Sequence, residues 1–232
     1  MKNILLIGGS YGIGLAIAKE LQNKNNLFIA SRSNDNLTDV KATHILFDAT
    51  TDTIDTSLLP TVIDGLVYCP GSINLRPFKG LKPEVIEADL QLNFISLVKV
   101  IQSVLPNLLA ADQSSIVMFS SVAAAMGMPF HTSVAASKGA IEGFAKALAA
   151  EYAPKIRVNV IAPSLTDTPL ADKFLNNETK QEKSAERHPL KRVGKPEDSA
   201  QMAGFLLSDK SSWITGQIFH VDGGMSTLLL NG

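Results

Sequence analysis

A short apolar strand that runs into a glycine-rich turn, which itself opens an amphipathic helix, leaves a chain few folds to choose from. Here Asn3 to Gly8 supplies the strand, Gly8-Gly9-Ser10-Tyr11-Gly12-Ile13-Gly14 the turn and Gly12 to Gln22 the helix. Glycines let the backbone turn tightly and come close to a pyrophosphate, whose charge is stabilised by the free N–H groups and positive dipole end of the helix N-terminus. A glycine-rich turn alone is a weak signal. Its place after the first strand and at the opening of the first helix is the context the motif requires. The segment predicts nucleotide binding by Gly8, Ser10, Tyr11, Gly12 and Ile13.

The rest of the chain continues the alternation. Short runs rich in β-branched residues recur at Leu27 to Ala30, His44 to Phe47, Gly65 to Cys69, Ser115 to Ser120, Ile156 to Ile161 and Gln217 to Val221, and with the first run they read as seven strands. Between them, Pro83 to Leu109, Thr132 to Tyr152 and Pro196 to Leu207 carry helical spacing, the first and last opening at a proline start signal. Strand–helix alternation implies an α/β domain, its sheet mostly parallel and covered on both faces. The connection from Asp48 to Asp64 is weakly patterned, leaving open whether it holds a full helix. With 232 residues, one domain spanning 1–232 is expected.

Charge and residue types exclude several functions. Lys plus Arg number 21 against 22 Asp plus Glu, so no overall basic field attracts nucleic acid or an acidic membrane surface. The small basic cluster Lys191, Arg192 and Lys195 reads as a solvated turn. His44, His131, His188 and His220 have no metal-ligand spacing, and the lone Cys69 makes neither a thiolate zinc site nor an internal disulfide, so no metal is expected. Ser120-Ser121 lacks the strained G-x-S-x-G elbow of a hydrolase. The most apolar stretch, Ile95 to Leu109, is broken by Lys99 and Pro106, so no membrane span is expected. The opening residues carry no signal-peptide pattern, which makes the cytoplasm the default location.

The G-x-x-x-G-I-G turn, Asn93, Ser121, Lys138 and the late D-G-G resemble the short-chain dehydrogenase/reductase family across nearly the whole chain. Further matching segments are F-D-A at Phe47 to Ala49, I-R-V-N-V-I-A-P at Ile156 to Pro163, T-D-T-P from Thr166, P-L-K-R-V-G-K-P-E-D from Pro189, I-T-G-Q from Ile214 and V-D-G-G from Val221. The resemblance implies a Rossmann-type, doubly wound parallel sheet of about seven strands, a nicotinamide cofactor, a small carbonyl or alcohol substrate and a homodimer or homotetramer.

In that family an acidic residue ending the second strand favours NAD, and a basic one accommodates the 2′-phosphate of NADP. This chain has Ser31-Arg32-Ser33, with no carboxylate before Asp35. Arg32 suits the phosphate through charge-assisted hydrogen bonds, with the serines as hydroxyl donors, so NADP(H) is expected over NAD(H). By the family pattern, Asp48 and Ala49 lie at the adenine, Gly71 allows close approach to the cofactor, and Thr166 and Thr168 lie near the nicotinamide amide and the phosphates.

The resemblance also implies a catalytic tetrad of asparagine, serine, tyrosine and lysine. Asn93, Ser121 and Lys138 match three positions, whereas the tyrosine position holds Val134, in register because Ser137-Lys138 follows as the family requires. Hydride reaching a carbonyl carbon leaves charge on oxygen that must be protonated or stabilised, and valine has no proton to give. Three explanations stand: His131, about one helical turn before Val134, is the replacement acid; Lys138, Ser121 and a water manage the transfer; or the chain is a silent NADP(H)-binding sensor or assembly protein. None of Tyr11, Tyr68 and Tyr152 occupies the motif position.

Other departures from the family pattern cluster nearby. Tyr68-Cys69-Pro70-Gly71 stands in place of N-N-A-G, and Ser164 in place of the glycine that follows Pro163. The polar segment 170–188 falls where the family carries a substrate lid. Ser72, Met126, Met128, Phe130, Leu170 and Phe174 are expected to line an apolar pocket, and Leu228-Leu229-Leu230 to dock at a subunit interface.

Overall fold

The computed structural model describes residues 1–229. Seven strands form one sheet: β1 (Lys2–Ile7), β2 (Asn25–Ser31), β3 (Thr43–Leu46), β4 (Gly65–Tyr68), β5 (Ser114–Phe119), β6 (Ile156–Pro163) and β7 (Ile218–Val221). Their order is β3-β2-β1-β4-β5-β6-β7, and every neighbouring pair is parallel. The strand order reverses between β1 and β4. At such a switch point the loops leaving the two strands diverge to opposite faces and open a crevice at their carboxyl ends, where ligands of open α/β sheets bind.

Seven α-helices are described: α1 (Gly12–Leu21), α2 (Pro83–Leu90), α3 (Ser96–Leu109), α4 (Thr132–Tyr152), α5 (Asp172–Leu175), α6 (Glu178–Glu186) and α7 (Pro196–Leu207). The pleat sends alternate β1 residues to opposite cores. Ile4 and Leu6 pack with Ile17 and Leu21 of α1 and Ala203 and Leu206 of α7. Leu5 and Ile7 pack with Val100 and Val104 of α3 and Ile141 and Leu148 of α4. Continuous burial on both faces is why strands such as Ser114–Phe119 read as apolar runs rather than alternating ones.

Strand ends fall within two residues of the sequence expectation, and Thr132–Tyr152 and Pro196–Leu207 are helices as read. The start of α7 is well specified: Pro196 fits the first turn, and the Asp198 carboxylate accepts from the Lys195 main-chain N–H at 2.7 Å and pairs with both Arg192 guanidinium nitrogens at 2.6 and 2.8 Å. The stretch 83–109 is one helical run interrupted by a π-helical turn, Gln91–Ile95. By length and composition alone that run is long and apolar enough to cross a membrane, since, against the sequence expectation, Lys99 and Pro106 do not break the helix; Leu97, Val100, Ile101, Val104 and Leu108 lie buried against the sheet. The connection from Asp48 to Asp64 holds only the short 3₁₀ turn Thr56–Leu58. Leu228 and Leu229 are exposed, and Leu230, the last residue of the expected docking run, lies outside the described residues.

Candidate active site

The glycine-rich turn sits at the switch point. Gly8 and Gly12 have φ of +77° and +52°, the left-handed region in which a side chain is strained. A Cβ on Gly14 would lie 2.2 Å from the Gly8 carbonyl oxygen, so only glycine lets α1 start this close to β1. Across the crevice the turn meets Pro70, which a Cβ on Gly8 would approach to 3.1 Å, and Thr168, which one on Gly12 would approach to 3.3 Å. Ser10 is buried, Tyr11 exposed and Ile13 lines the central cavity.

At the end of β2, Arg32 is exposed beside the turn. Ser33 Oγ donates to the Tyr11 hydroxyl at 3.4 Å, linking the strand end to the glycine turn. The two serines differ from the sequence expectation of paired donors. Ser31 is buried and its hydroxyl donates to the Ser33 carbonyl at 2.8 Å, beside His44 Nε2 at 3.1 Å, so Ser33 alone presents a hydroxyl outward. Beyond β3, the Asp48 carboxylate accepts from the Thr50 hydroxyl at 2.6 Å and main-chain N–H at 2.8 Å. Those bonds, with the nearby Arg32 charge, hold its pKa below the usual carboxylate value against the opposing effect of burial. Ala49 is half-buried against the core.

A cavity of roughly 510 Å³ opens above the carboxyl ends of β4, β5 and β6, within the range of small-molecule sites. Gly71, Ser121, His131, Val134, Lys138, Thr166 and Thr168 all line it. Asn93 does not; it is fully buried in the π turn, where its side-chain N–H groups donate to the Asp89 carbonyl at 2.8 Å and Ser72 Oγ at 2.9 Å. It reaches the site through Gly71, at which an added Cβ would stand 3.1 Å from Asn93 Oδ1 and 3.3 Å from Lys138 Nζ. Lys138 Nζ donates to the Phe119 carbonyl at 2.9 Å. Burial lowers its pKa to about 8, opposed by Cys69 and the Asp89 carboxylate. The same burial pushes the Cys69 thiol up to about 12.

Val134 is buried on the first turn of α4. His131 caps that helix, with Nδ1 2.7 Å from the Pro129 carbonyl; a carbonyl only accepts, so Nδ1 carries the hydrogen and Nε2 is left free. Ser121 Oγ accepts from the Ala123 main-chain N–H at 3.2 Å. Among the residues expected to line an apolar pocket, Ser72, Met128, Leu170 and Phe174 do so; Met126 and Phe130 do not, and Phe130 is exposed with φ of +69°.

Two groups escaped the sequence reading. Asp89, 1% exposed, accepts from Ser72 Oγ at 2.5 Å, Asn74 Nδ2 at 2.7 Å and Ser133 Oγ at 2.5 Å; a carboxylate one turn before Asn93 in a helix packed on the core was the available signal. Ser164 and His188, 24 residues apart, meet in the cavity wall at 2.8 Å, a pairing that no sequence spacing announces. The segment 170–188 forms one side of the cavity through Leu170, Phe174 and α6, and among the described residues every charged side chain lining the cavity is cationic: Lys138, Lys173, Lys180, Lys183 and Arg187.

Residues 8–226 match the family described as enoyl-(acyl carrier protein) reductase. The chain belongs to the short-chain dehydrogenase/reductase family. Its relatives include the 3-oxoacyl-[acyl-carrier-protein] reductase FabG of Chlamydia trachomatis serovar D, 33% identical over 97% of each chain. The FabG of Thermotoga maritima is 40% identical over 164 residues, 70% of this chain and 66% of that protein. Among solved structures, the ligand-free aldohexose dehydrogenase of Thermoplasma acidophilum superposes with a TM-score of 0.89 at 27% identity, covering all of this chain and 96% of that one. As a short-chain dehydrogenase/reductase the protein is an oxidoreductase of a family that uses nicotinamide cofactors and acts on small molecules. The residues present fit such a group: the left-handed Gly8 and Gly12, and Gly14 under the Gly8 carbonyl, leave the space a side chain would fill.

Proposed function

We propose that the protein is an NADP(H)-dependent oxidoreductase that interconverts a small carbonyl compound and its alcohol, with Val134 at the position of the family's tyrosine. The carrying observation is the convergence of Ser121, Val134 and Lys138 on one cavity, bounded by the glycine turn's neighbour Thr168. Bound there, the cofactor supplies or accepts the hydride.

Gly8, Ser10, Tyr11, Gly12 and Ile13 are assigned to its pyrophosphate, where the free N–H groups of the first turn of α1 meet negative charge. Arg32 takes the 2′-phosphate, with Ser33 beside it and Ser31 holding the strand end in shape. Asp48 and Ala49 take the adenine, and Gly71, Lys138, Thr166 and Thr168 the nicotinamide half. Ser121 holds the substrate oxygen. Asn93 fixes the π turn behind Gly71, and the low pKa of Lys138 suits proton exchange near neutrality. His131 lines the same cavity, so His131→Gln is the variant that separates its imidazole from the other proton sources. The segment 170–188 closes over the substrate and excludes water, and its cations favour an anionic group on the bound species. The exposed Leu228 and Leu229 support assembly as a homodimer or homotetramer.

The test is NADPH oxidation by the natural protein and Val134→Tyr over a carbonyl panel, with NADPH and NADH affinities measured for both. General acid–base assistance contributes about 10² to 10⁴ in rate, so a natural enzyme with its own proton source turns over without the tyrosine. Activity in neither protein, despite NADPH binding, overturns the reading.

A further inference from the structure

Val134 leaves the substrate oxygen without the family's proton donor, yet the cavity contains a second hydroxyl with a base behind it. Ser164 follows Pro163 at the end of β6, and His188 follows α6. Ser164 Oγ stands 2.8 Å from His188 Nε2, and His188 Nδ1 stands 2.7 Å from the Ser184 carbonyl. Because that carbonyl can only accept, Nδ1 carries a hydrogen, the neutral ring has its lone pair on Nε2, and the Ser164 hydroxyl donates to it. The imidazole is 2% exposed. Its backbone is held by the His188 N–H to Ala185 carbonyl bond at 3.0 Å, and a Cβ on Gly223 would stand 3.7 Å from the ring's Cδ2. A hydroxyl, a single-tautomer imidazole and a fixed acceptor behind it form the arrangement that moves a proton to or from a reacting group.

We propose that Ser164 and His188 are the proton-transfer pair of this site, with Ser164 meeting the substrate oxygen and His188 acting behind it. The inference rests on the carbonyl–alcohol reading above. In reduction, the carbonyl carbon gains a hydride and its π electron pair moves to oxygen. The Ser164 O–H bond breaks as that oxygen takes the proton, and the Ser164 oxygen recovers one from Nε2 of protonated His188. The ring is left neutral, with its Nδ1–H still on Ser184. Alcohol oxidation runs the same transfers in reverse. Ser164 and His188 also line a second pocket with His220, Asp222 and Gly224, so the pair stands in a wall shared by two cavities, and once the alcohol has left, Nε2 of the neutral ring regains its proton through the Ser164 hydroxyl.

The test compares the natural protein with Ser164→Ala, Ser164→Gly, His188→Gln, the Ser164→Ala/His188→Gln double variant and His131→Gln, using NADPH with an acetoacetyl thioester, butane-2,3-dione and 4-nitrobenzaldehyde. The expected result is a fall in kcat of about 10² or more for each variant of the pair, with NADPH affinity unchanged and the double variant no worse than either single, since groups acting as a unit are not additive. Adding Val134→Tyr to Ser164→Ala is expected to restore turnover. A second readout is independent of activity: the ¹⁵N resonance of His188 Nε2 shifts when the product alcohol binds the natural protein, and not in Ser164→Ala. If His188→Gln does not fold, the two Ser164 variants and this resonance carry the test. Turnover within twofold of the natural protein in the Ser164 variants overturns the inference and leaves the oxidoreductase reading standing. So does loss confined to His131→Gln, or activity that appears only with Val134→Tyr. Silence of every protein that binds NADPH overturns the oxidoreductase reading and the inference with it.

Discussion

The Asp89 carboxylate and the Ser133 hydroxyl lie 2.5 Å apart, tying α2 to the residue immediately before Val134. The same carboxylate holds Ser72 and Asn74, and the Asp89 carbonyl holds Asn93, so one buried residue joins the loop after β4 and the start of α4 through its side chain and the π turn through its main chain. Asp89→Ala strands the buried Ser133 donor and removes the partner of the half-buried Ser72 and Asn74, and a buried donor left unsatisfied costs about 1–3 kcal/mol. The expected loss is of that size, with Asp89→Asn falling between it and the natural protein because an amide oxygen still accepts. Urea midpoints check this, and a change below about 1 kcal/mol for the alanine variant refutes a stabilising role for the network.

At Gly14 the constraint is steric. An alanine Cβ would sit 2.2 Å from the Gly8 carbonyl oxygen, a backbone atom that cannot swing aside. Gly14→Ala must displace either the start of α1 or the glycine turn, and both present the N–H groups assigned to the pyrophosphate. The variant is expected to lose NADPH affinity by at least tenfold, about 1.4 kcal/mol, and to melt at lower temperature. Unchanged fluorescence titrations with NADPH contradict the close approach of turn and strand.

Most of the architecture is legible in the sequence because short β-branched-rich runs alternate with segments of helical spacing. Thr132–Tyr152 is read to the residue from that spacing, and Pro196–Leu207 from its proline start signal as well. The π turn at Gln91–Ile95 is not legible, since its residues have ordinary helical character and the extra backbone step depends on tertiary contacts around Asn93. In the site, motif residues such as Gly12, Ser121 and Lys138 are found by local pattern. Asp89 with Ser133 and Ser164 with His188 are pairs between distant segments, brought together by packing that no local signal encodes.

In the proposed reading cofactor choice turns on Arg32, the exposed basic residue at the end of β2, with no carboxylate in the sequence from there to Asp35. Hydrogen bonds to charged groups contribute about 1.5–3 kcal/mol, so Arg32→Ala is expected to weaken NADPH binding roughly tenfold to a hundredfold and to leave NADH affinity nearly unchanged. Raising the salt concentration is expected to weaken NADPH binding to the natural protein more than to the variant. Equal losses for both nucleotides place Arg32 away from the 2′-phosphate.

Lys138 makes a prediction about stability in alkali. Its folded-state pKa is lowered to about 8, chiefly by burial, with Cys69 and Asp89 opposing, while an unfolded lysine titrates near 10.4. Below about pH 8 the lysine carries its charge in both states, and folding bears the full cost of burying it. Between about 8 and 10.4 the folded protein has released a proton that the unfolded chain still binds, so this group's contribution to stability improves as pH rises, by up to about 1.4 kcal/mol per pH unit. Lys138→Met deletes the titration. Cys69 works in the opposite sense, because its thiol, pushed up to about 12 in the folded protein, ionises at about 8.5 in the unfolded chain, but both proteins carry it and its effect cancels from their difference. Urea unfolding of both proteins between pH 7.5 and 9.5 is expected to show the natural protein gaining on Lys138→Met across the upper half of the range. Parallel curves mean instead that the ammonium is solvated through the cavity and titrates as an ordinary lysine, which removes the basis for its proton exchange near neutrality.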